Sequence, residues 1–454
     1  MHMSEIWHSK KNDCRLSRTQ VITSMTLWDS YEQSLKNGTG VKCKKKDVMN
    51  LRAITFKSKR DTLIDGFIEA ARFLVKQGVY APDNLPYNTQ FIPLAAIFAY
   101  DISHKKVLTN LTNLTKLSRW YWCGVFGELY GSANETRYAL DIKELFAWIE
   151  DDNVIPDTVS RSSFSATRLL TLQTRNSAAY KGVMALLLKE EPLDFMTAGK
   201  MSVATYMQES TDIHHIFPVS HCEKEKLPRE KWNSVINKTM IYASTNRSIG
   251  GDAPSKYIKA LLNHKISQND LELAVASHQI DFNLLDSDDF DGFIIDRAKK
   301  LLNLIEKSTG KSTSGRGTKE TIDAFGASSN FNLCSANNPN YIDAISKNSL
   351  PFVMHGRDLF YMPAVVIGIP RRVSFDDIST VQKQSCLSKR LDNRRENPLR
   401  IFILSRFSSH YRYRCFQKLD FLLFFLTNRS NHHYLLYHQL RHCLYRKMGN
   451  CRFL

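Results

Sequence analysis

At 454 residues the chain is long enough for two or three domains, and 43% hydrophobic with 24% charged residues is the balance of a soluble globular protein. Its longest apolar candidate, 421–426, falls far short of the ~18 residues a membrane span needs, which excludes a transmembrane protein and a membrane partner. The net charge of +17 points to a polyanionic partner, but residues 397–454 carry +9 of it (ten Lys and Arg against Asp420), so the +8 left for residues 1–396 supports nucleic-acid binding only weakly.

Residues 1–60 are polar and basic around Lys44-Lys45-Lys46, with helical signals between Leu27 and Leu35 but no clear core pattern, and form a separate N-terminal segment. From Asp61 the pattern sharpens. Leu63, Ile64, Phe67, Ala70, Ala71, Leu74 and Val75 recur at three- and four-residue steps, which predicts an amphipathic helix with Asp61 as N-cap and Gly78 past its end. Leu85-Pro86-Tyr87 marks a turn, and 89–102 reads as a more buried helix. A third helix over 116–130 carries Trp120, Tyr121, Trp122, Phe126 and Tyr130, a spacing of core packing rather than of a base-stacking surface. Helices over 141–150 and 178–189 complete an all-α scaffold domain, 61–195.

The composition changes near Met201. Residues 211–217 have β character that Pro218 ends, and a charged loop runs to Trp232. A second short strand is predicted at 238–243, then an Asn- and Gly-rich turn at 245–252. Ala253-Pro254-Ser255 starts a helix to about Asn263, since Pro is well tolerated in a first helical turn. The face Ile294, Ile295, Ala298, Leu301, Leu302 and Ile305 predicts a helix over 290–307 that Gly310 closes.

Residues 308–318 read as a flexible linker. They are not a phosphate-binding loop, because Ile305 stands where the first Gly of that motif belongs and no strand leads in. The fold expected is mainly α with a small ββα finger, the finger and its flanking helices occupying 196–326. The rest, 327–454, is an unassigned basic, aromatic-rich extension. Its interleaved Arg and aromatic residues would suit single-stranded nucleic acid, but the composition reads better as a divergent or non-homologous addition.

One ordered series carries chemistry. It begins Asp212-Ile213-His214-His215-Ile216-Phe217-Pro218, continues with Asn237 22 residues after His215, and ends with Asn246 nine residues later. A His near its ordinary pKa can take a proton from water at neutral pH. Adjacent His residues on a strand project to opposite sides, so His214 and His215 cannot simply share one metal. His221 and Cys222 lie close by and are read as loop residues.

The series resembles the HNH, or His-Me finger, nuclease motif. The resemblance assigns His214 and Asn246 as metal ligands and His215 as the general base. Asn237 becomes the middle Asn, whose side chain pins the loop backbone so that the base keeps its aim. One imidazole and one amide oxygen leave most positions to water and phosphate oxygens, which suits Mg²⁺ or Mn²⁺ better than Zn²⁺. Asp212 is a candidate third ligand or a supporting residue.

Outside the finger, Trp-Tyr-Trp-x-x-Val-Phe-x-x-x-Tyr ending at Tyr130, Leu85-Pro86-Tyr87 and Asp194-Phe195 look like the helical region before the HNH domain of GmrSD-type restriction endonucleases. That similarity runs from about residue 60 to 326. It implies a DNA endonuclease of a restriction or defence system, leaving 5′-phosphate ends. The regulatory N-terminal domain of those enzymes carries an Asp-Gly-Gln-Gln-Arg type motif that is not found in this sequence, so the expectations are a fragment, a remnant, or the nuclease half of a split system whose partner is a separate regulatory subunit. The rival expectations are a non-catalytic DNA-binding module and an RNA-directed nuclease. Nine scattered Cys without a Cys-x-x-Cys pair argue against a structural zinc ribbon and fit free thiols in the cytoplasm.

Overall fold

Helix α1, Arg18–Asn37, starts on a capping box between Ser17 and Gln20 and stops at Gly38, whose φ of 66° places it in the left-handed region. In the computed structural model the described residues are 16–326, except 133 and 265 and the side chains of 207 and 208. The helix corrects the expectation that the first 60 residues lack a core pattern: Met25, Leu27, Trp28 and Tyr31 are buried. Their periodicity is diluted in the sequence by Ser24 and Thr26, buried beside them with hydroxyls that donate to the carbonyls of Ile92 and Ile22 at 3.0 and 2.8 Å.

The predicted helix from Asp61 begins eight residues earlier, as α2, Ala53–Lys76, so Asp61 is an exposed mid-helix residue and not an N-cap. Its first two turns are mostly solvated and show no apolar stripe. Helix α3, Phe91–Tyr100, is buried along its whole length and lies against α2 at Gly66, where a Cβ would come within 2.6 Å of the Ala95 carbonyl oxygen. Helix α4, Leu111–Phe126, is capped by Asn110 and ends before Tyr130. Its aromatic set is core, as the spacing predicts: Trp120, Tyr121, Trp122, Phe126 and Tyr130 are all buried. The buried Asp141 of α5, Asn134–Glu150, accepts hydrogen bonds from Trp120 Nε1 at 2.9 Å, from Thr158 Oγ1 at 2.6 Å and from the Tyr130 hydroxyl. Helix α6, Ala178–Lys189, has the predicted bounds.

Two strands, β1 (Thr211–His215) and β2 (Lys238–Tyr242), form an antiparallel sheet in which Asp212 faces Ile241, His214 faces Thr239 and His215 faces Lys238. The predicted charged loop between them holds short helices, Val219–Lys224 and Arg229–Trp232. The predicted turn after β2 is instead a helix, α7, Ala243–Ile249. Helix α8, Pro254–Asn263, carries Pro in its first turn. Helix α9, Phe290–Thr309, is ended by Gly310 at φ 63°.

Helix α9 packs on α4 and α6, so a single buried cluster runs from Met25 to Phe325 through scaffold and hairpin alike. Residues 308–318 are not a flexible linker. Lys311 Nζ donates to the carbonyls of Val159, Ser160 and Ser162, Ser314 pairs with Phe164 and Ala166 through its backbone, and Arg316 pairs with Glu306 at 2.8 Å. Composition suggested mobility there, but the side chains bind helix ends. Among the described residues the architecture is thus mainly α with one small two-stranded sheet, and no helix there is long and apolar enough to cross a membrane. The aromatic-rich stretch 327–454 lies outside the described residues.

Candidate functional site

Strand alternation places Asp212 and His214 on one face of β1 and Ile213 and His215 on the other. On the first face three polar side chains meet. His214 Nδ1 lies 2.9 Å from Asn246 Oδ1, and Asn246 Nδ2 lies 3.4 Å from Asp212 Oδ2. The two neighbours fix the amide orientation, with its oxygen on the imidazole and its nitrogen on the carboxylate.

Asn246 reaches this position because α7 starts directly after β2, held there by the fully buried Asp194. One Asp194 oxygen accepts from the Tyr242 backbone N–H at 3.0 Å and the other from Thr245 Oγ1 at 2.7 Å. That carboxylate anchors the helix start where charge is favourable. His214 is buried between the rings of Phe195 and Tyr257, both edge-on at centroid distances of 6.4 and 6.0 Å. Desolvation pushes its pKa down to about 4, so the ring is neutral at pH 7. Its Nε2 is buried and has no hydrogen-bond partner among the described residues.

Asn237 does not reach these three. It is fully buried, and its side chain closes the turn that follows His215. Its Oδ1 accepts from the Phe217 N–H at 2.8 Å, and its Nδ2 donates to the carbonyls of Phe217 and Trp232, both at 2.9 Å. The Tyr257 hydroxyl holds the Ile216 carbonyl at 2.9 Å. The backbone leaving His215 is thereby fixed from two sides.

His215 points away from the Asp212–His214–Asn246 group, with its ring 6.2 Å from that of Trp232. It is half-buried, and its Nε2 is covered and without a hydrogen-bond partner among the described residues. Burial, and then the neighbouring Lys238, lower its pKa below the ordinary value, with Asn233 acting in the opposite sense.

The residues on the first face suit a divalent cation by donor chemistry: one neutral imidazole, one carboxamide oxygen and one carboxylate. With its oxygen turned to the ring, Asn246 accepts from His214 Nδ1–H at 2.9 Å, so holding an ion through Nδ1 requires the other tautomer, with the proton on Nε2. Among the described residues no group of three or more His, Cys, Asp or Glu converges, so any ion here draws on the amide. His221 is half-buried near Phe217, and Cys222 is buried with its thiol 3.4 Å from the Phe217 carbonyl. Neither touches the three.

Sequence reasoning missed Lys238, Asn233 and His278. Lys238 follows Asn237 directly and carries no signal beyond that adjacency. The fully buried His278 bridges β2 to the segment before β1, with Nδ1 2.6 Å from Thr239 Oγ1 and Nε2 2.8 Å from the Leu193 carbonyl.

No protein-family model matches the chain. Over 157 residues it is 34% identical to an uncharacterized protein of Methanocaldococcus jannaschii, a match that covers 34% of this chain and 26% of the relative. The chain thus spans about a quarter of the length of the curated relative it matches.

Proposed function

We propose that the chain is a metal-dependent endonuclease of the HNH type that hydrolyses phosphodiester bonds in DNA. The observation that carries this reading is the meeting of His214 and Asn246 at 2.9 Å across 32 residues of chain, with Asp212 beside the same carboxamide. His214, Asn246 and Asp212 would hold Mg²⁺ or Mn²⁺. When bound, the ion relieves charge on the phosphate and on the departing 3′ oxygen.

The remaining work falls to this chain's side chains. His215, uncharged at neutral pH, takes a proton from the attacking water as the water oxygen bonds to phosphorus and the bond to the 3′ oxygen breaks, leaving a 5′-phosphate. Asn237 and Tyr257 keep the backbone after His215 in place, so that the base is held in one orientation. With Nε2 of His215 covered, the proton is taken at Nδ1 or at an Nε2 that DNA binding uncovers, since catalytic contacts commonly tighten only in the substrate complex. The resemblance of its residue series to restriction endonucleases supports a role in defence.

Incubating plasmid with the protein in Mg²⁺, in Mn²⁺ and in EDTA tests the reading, with matched RNA as the parallel substrate. Cleavage of DNA that EDTA stops is the expected outcome. The covered Nε2 of His215 favours a second reading, a DNA-binding module without catalysis, which shifts DNA in a gel and never cuts it.

A further inference from the structure

Where the chain enters β2, consecutive carbonyls serve different partners. That of Asn237 accepts from the Ile216 N–H on the β1 side at 2.9 Å. Those of Ile236 and Lys238, on either side of it, both accept from Nη1 of Arg297 on α9, the second at 3.0 Å. Nε of the same guanidinium donates to the His278 carbonyl at 3.2 Å. One side chain therefore grips the backbone before and after Asn237, the residue whose amide closes the turn that follows His215.

Arg297 is fully buried, and its Nη2 has no partner among the described residues. Burial lowers its pKa to about 9, which leaves it charged at neutral pH. No carboxylate among the described residues is ion-paired with it. A cation kept from water and held only by carbonyls is costly, and neutral donors would suffice to satisfy a strand edge. The charge makes each of those bonds roughly twice as strong as a neutral one, and the planar fork spans two chain segments at once. Helix α9 packs on α4, on α6 and on the short turn at Val235–Asn237, so the grip ties that turn to the scaffold.

We propose that Arg297 is a positioning residue for cleavage: by clamping the backbone at 236 and 238 it fixes Asn237, and through Asn237 the turn that aims His215. This rests on the reading of the chain as a nuclease with His215 as its base, and it adds to that reading a residue outside the motif, on a distant helix. Arg297 donates to none of Asp212, His214 and Asn246. Its charge acts on His214 only to disfavour a second cation nearby, so its loss raises no barrier to the ion.

Single-turnover cleavage of plasmid at saturating protein and Mg²⁺, run at a temperature where melting curves show each variant folded, tests this role. Arg297→Met keeps the bulk and removes the donors, and it should cut about 10- to 10²-fold more slowly, the range a slight misplacement of reacting groups costs. DNA affinity in EDTA should be unchanged and the Mg²⁺ requirement no higher. Hydrogen exchange at the Ile216 and Phe217 amides, both bonded to Asn237, should quicken. Arg297→Lys, one atom shorter but still a charged donor, should fall between Met and wild type in rate and in exchange, and it decides alone where Arg297→Met does not fold. Wild-type rate and wild-type exchange in the folded variant overturn the proposal. So does a slower rate that comes with weaker DNA binding or a greater need for Mg²⁺, which marks general loosening. A wild-type chain that never cuts DNA sinks the nuclease reading and this role with it, whereas a wild type that cuts no faster than its Arg297 variants sinks only the role of Arg297.

Discussion

His214 Nδ1 and Asn246 Oδ1 sit 2.9 Å apart because α7 follows β2 without a loop and Asp194 fastens its first turn. Asn246→Ala removes the amide oxygen while leaving the buried imidazole in place. We expect at least about 10-fold more Mg²⁺ to be needed for half-maximal DNA cleavage, since disturbing even the residues that merely orient a metal's ligands costs about that much and Asn246 is proposed as a ligand itself. A Mg²⁺ titration with the wild-type midpoint would remove Asn246 from the ion.

The base assignment gives a different signature. His215→Ala should lower cleavage by about 10²- to 10⁴-fold, the range a positioned general base contributes, with DNA affinity nearly unchanged. Plasmid nicking at the wild-type rate by that variant would show that another group activates water.

Asn237 carries a structural prediction. Asn237→Ala leaves the Phe217 N–H and the carbonyls of Phe217 and Trp232 without their partner in a fully buried turn. A loss of about 2–4 kcal/mol in urea unfolding follows from stranding such groups. Asn237→Asp should be at least as damaging, since it sets an oxygen against two carbonyls. Wild-type stability in both variants would mean the turn is held by Tyr257 alone.

Acid should destabilise the metal-free protein in a defined window. Burial lowers the pKa of His278 from 6.5 to about 3 and that of His214 to about 4, so the unfolded chain binds protons that the folded chain refuses. Stability from these groups is complete above pH 6.5 and is lost as pH falls toward 3, at roughly 1.4 kcal/mol per pH unit for each neutral buried His. Because the buried Asp141, its pKa raised to about 6, pulls the other way, the difference between wild-type and His278→Gln unfolding curves in EDTA from pH 7 to 4 should show the contribution of His278. Parallel curves for the variant and the wild type would show that His278 charges without cost.

Several features were legible in the residues. The 3.6-residue spacing from Leu63 to Val75 and from Ile294 to Ile305 marks helices because their buried faces are apolar, save for Arg297, whose guanidinium is bonded to the carbonyls of His278, Ile236 and Lys238. Helix α1 escaped that test since Ser24 and Thr26 are buried beside Leu27 and Trp28, satisfied by carbonyls of the chain itself. The stretch 308–318 misled by composition: its Lys311 and Arg316 spend their charges on helix ends and on Glu306 rather than on solvent. The Asn-rich stretch after β2 reads as a turn by local propensity, yet Asp194, distant in sequence, holds it as helix.

The sequence by itself determined the helical character of the chain, the two short strands, and which residue types could serve a phosphodiesterase. The order of those residues also placed His214 and His215 on opposite sides of a strand, since alternation is a local property of extended backbone. Only the tertiary structure decided that Asp212, His214 and Asn246 share one face, that Asn237 spends all its polar atoms on the turn after His215, and that Lys238 stands across the hairpin from that histidine. Those relationships join residues tens of positions apart. Burial and the packing of a whole core fix them, and no window of neighbouring residues encodes that distance.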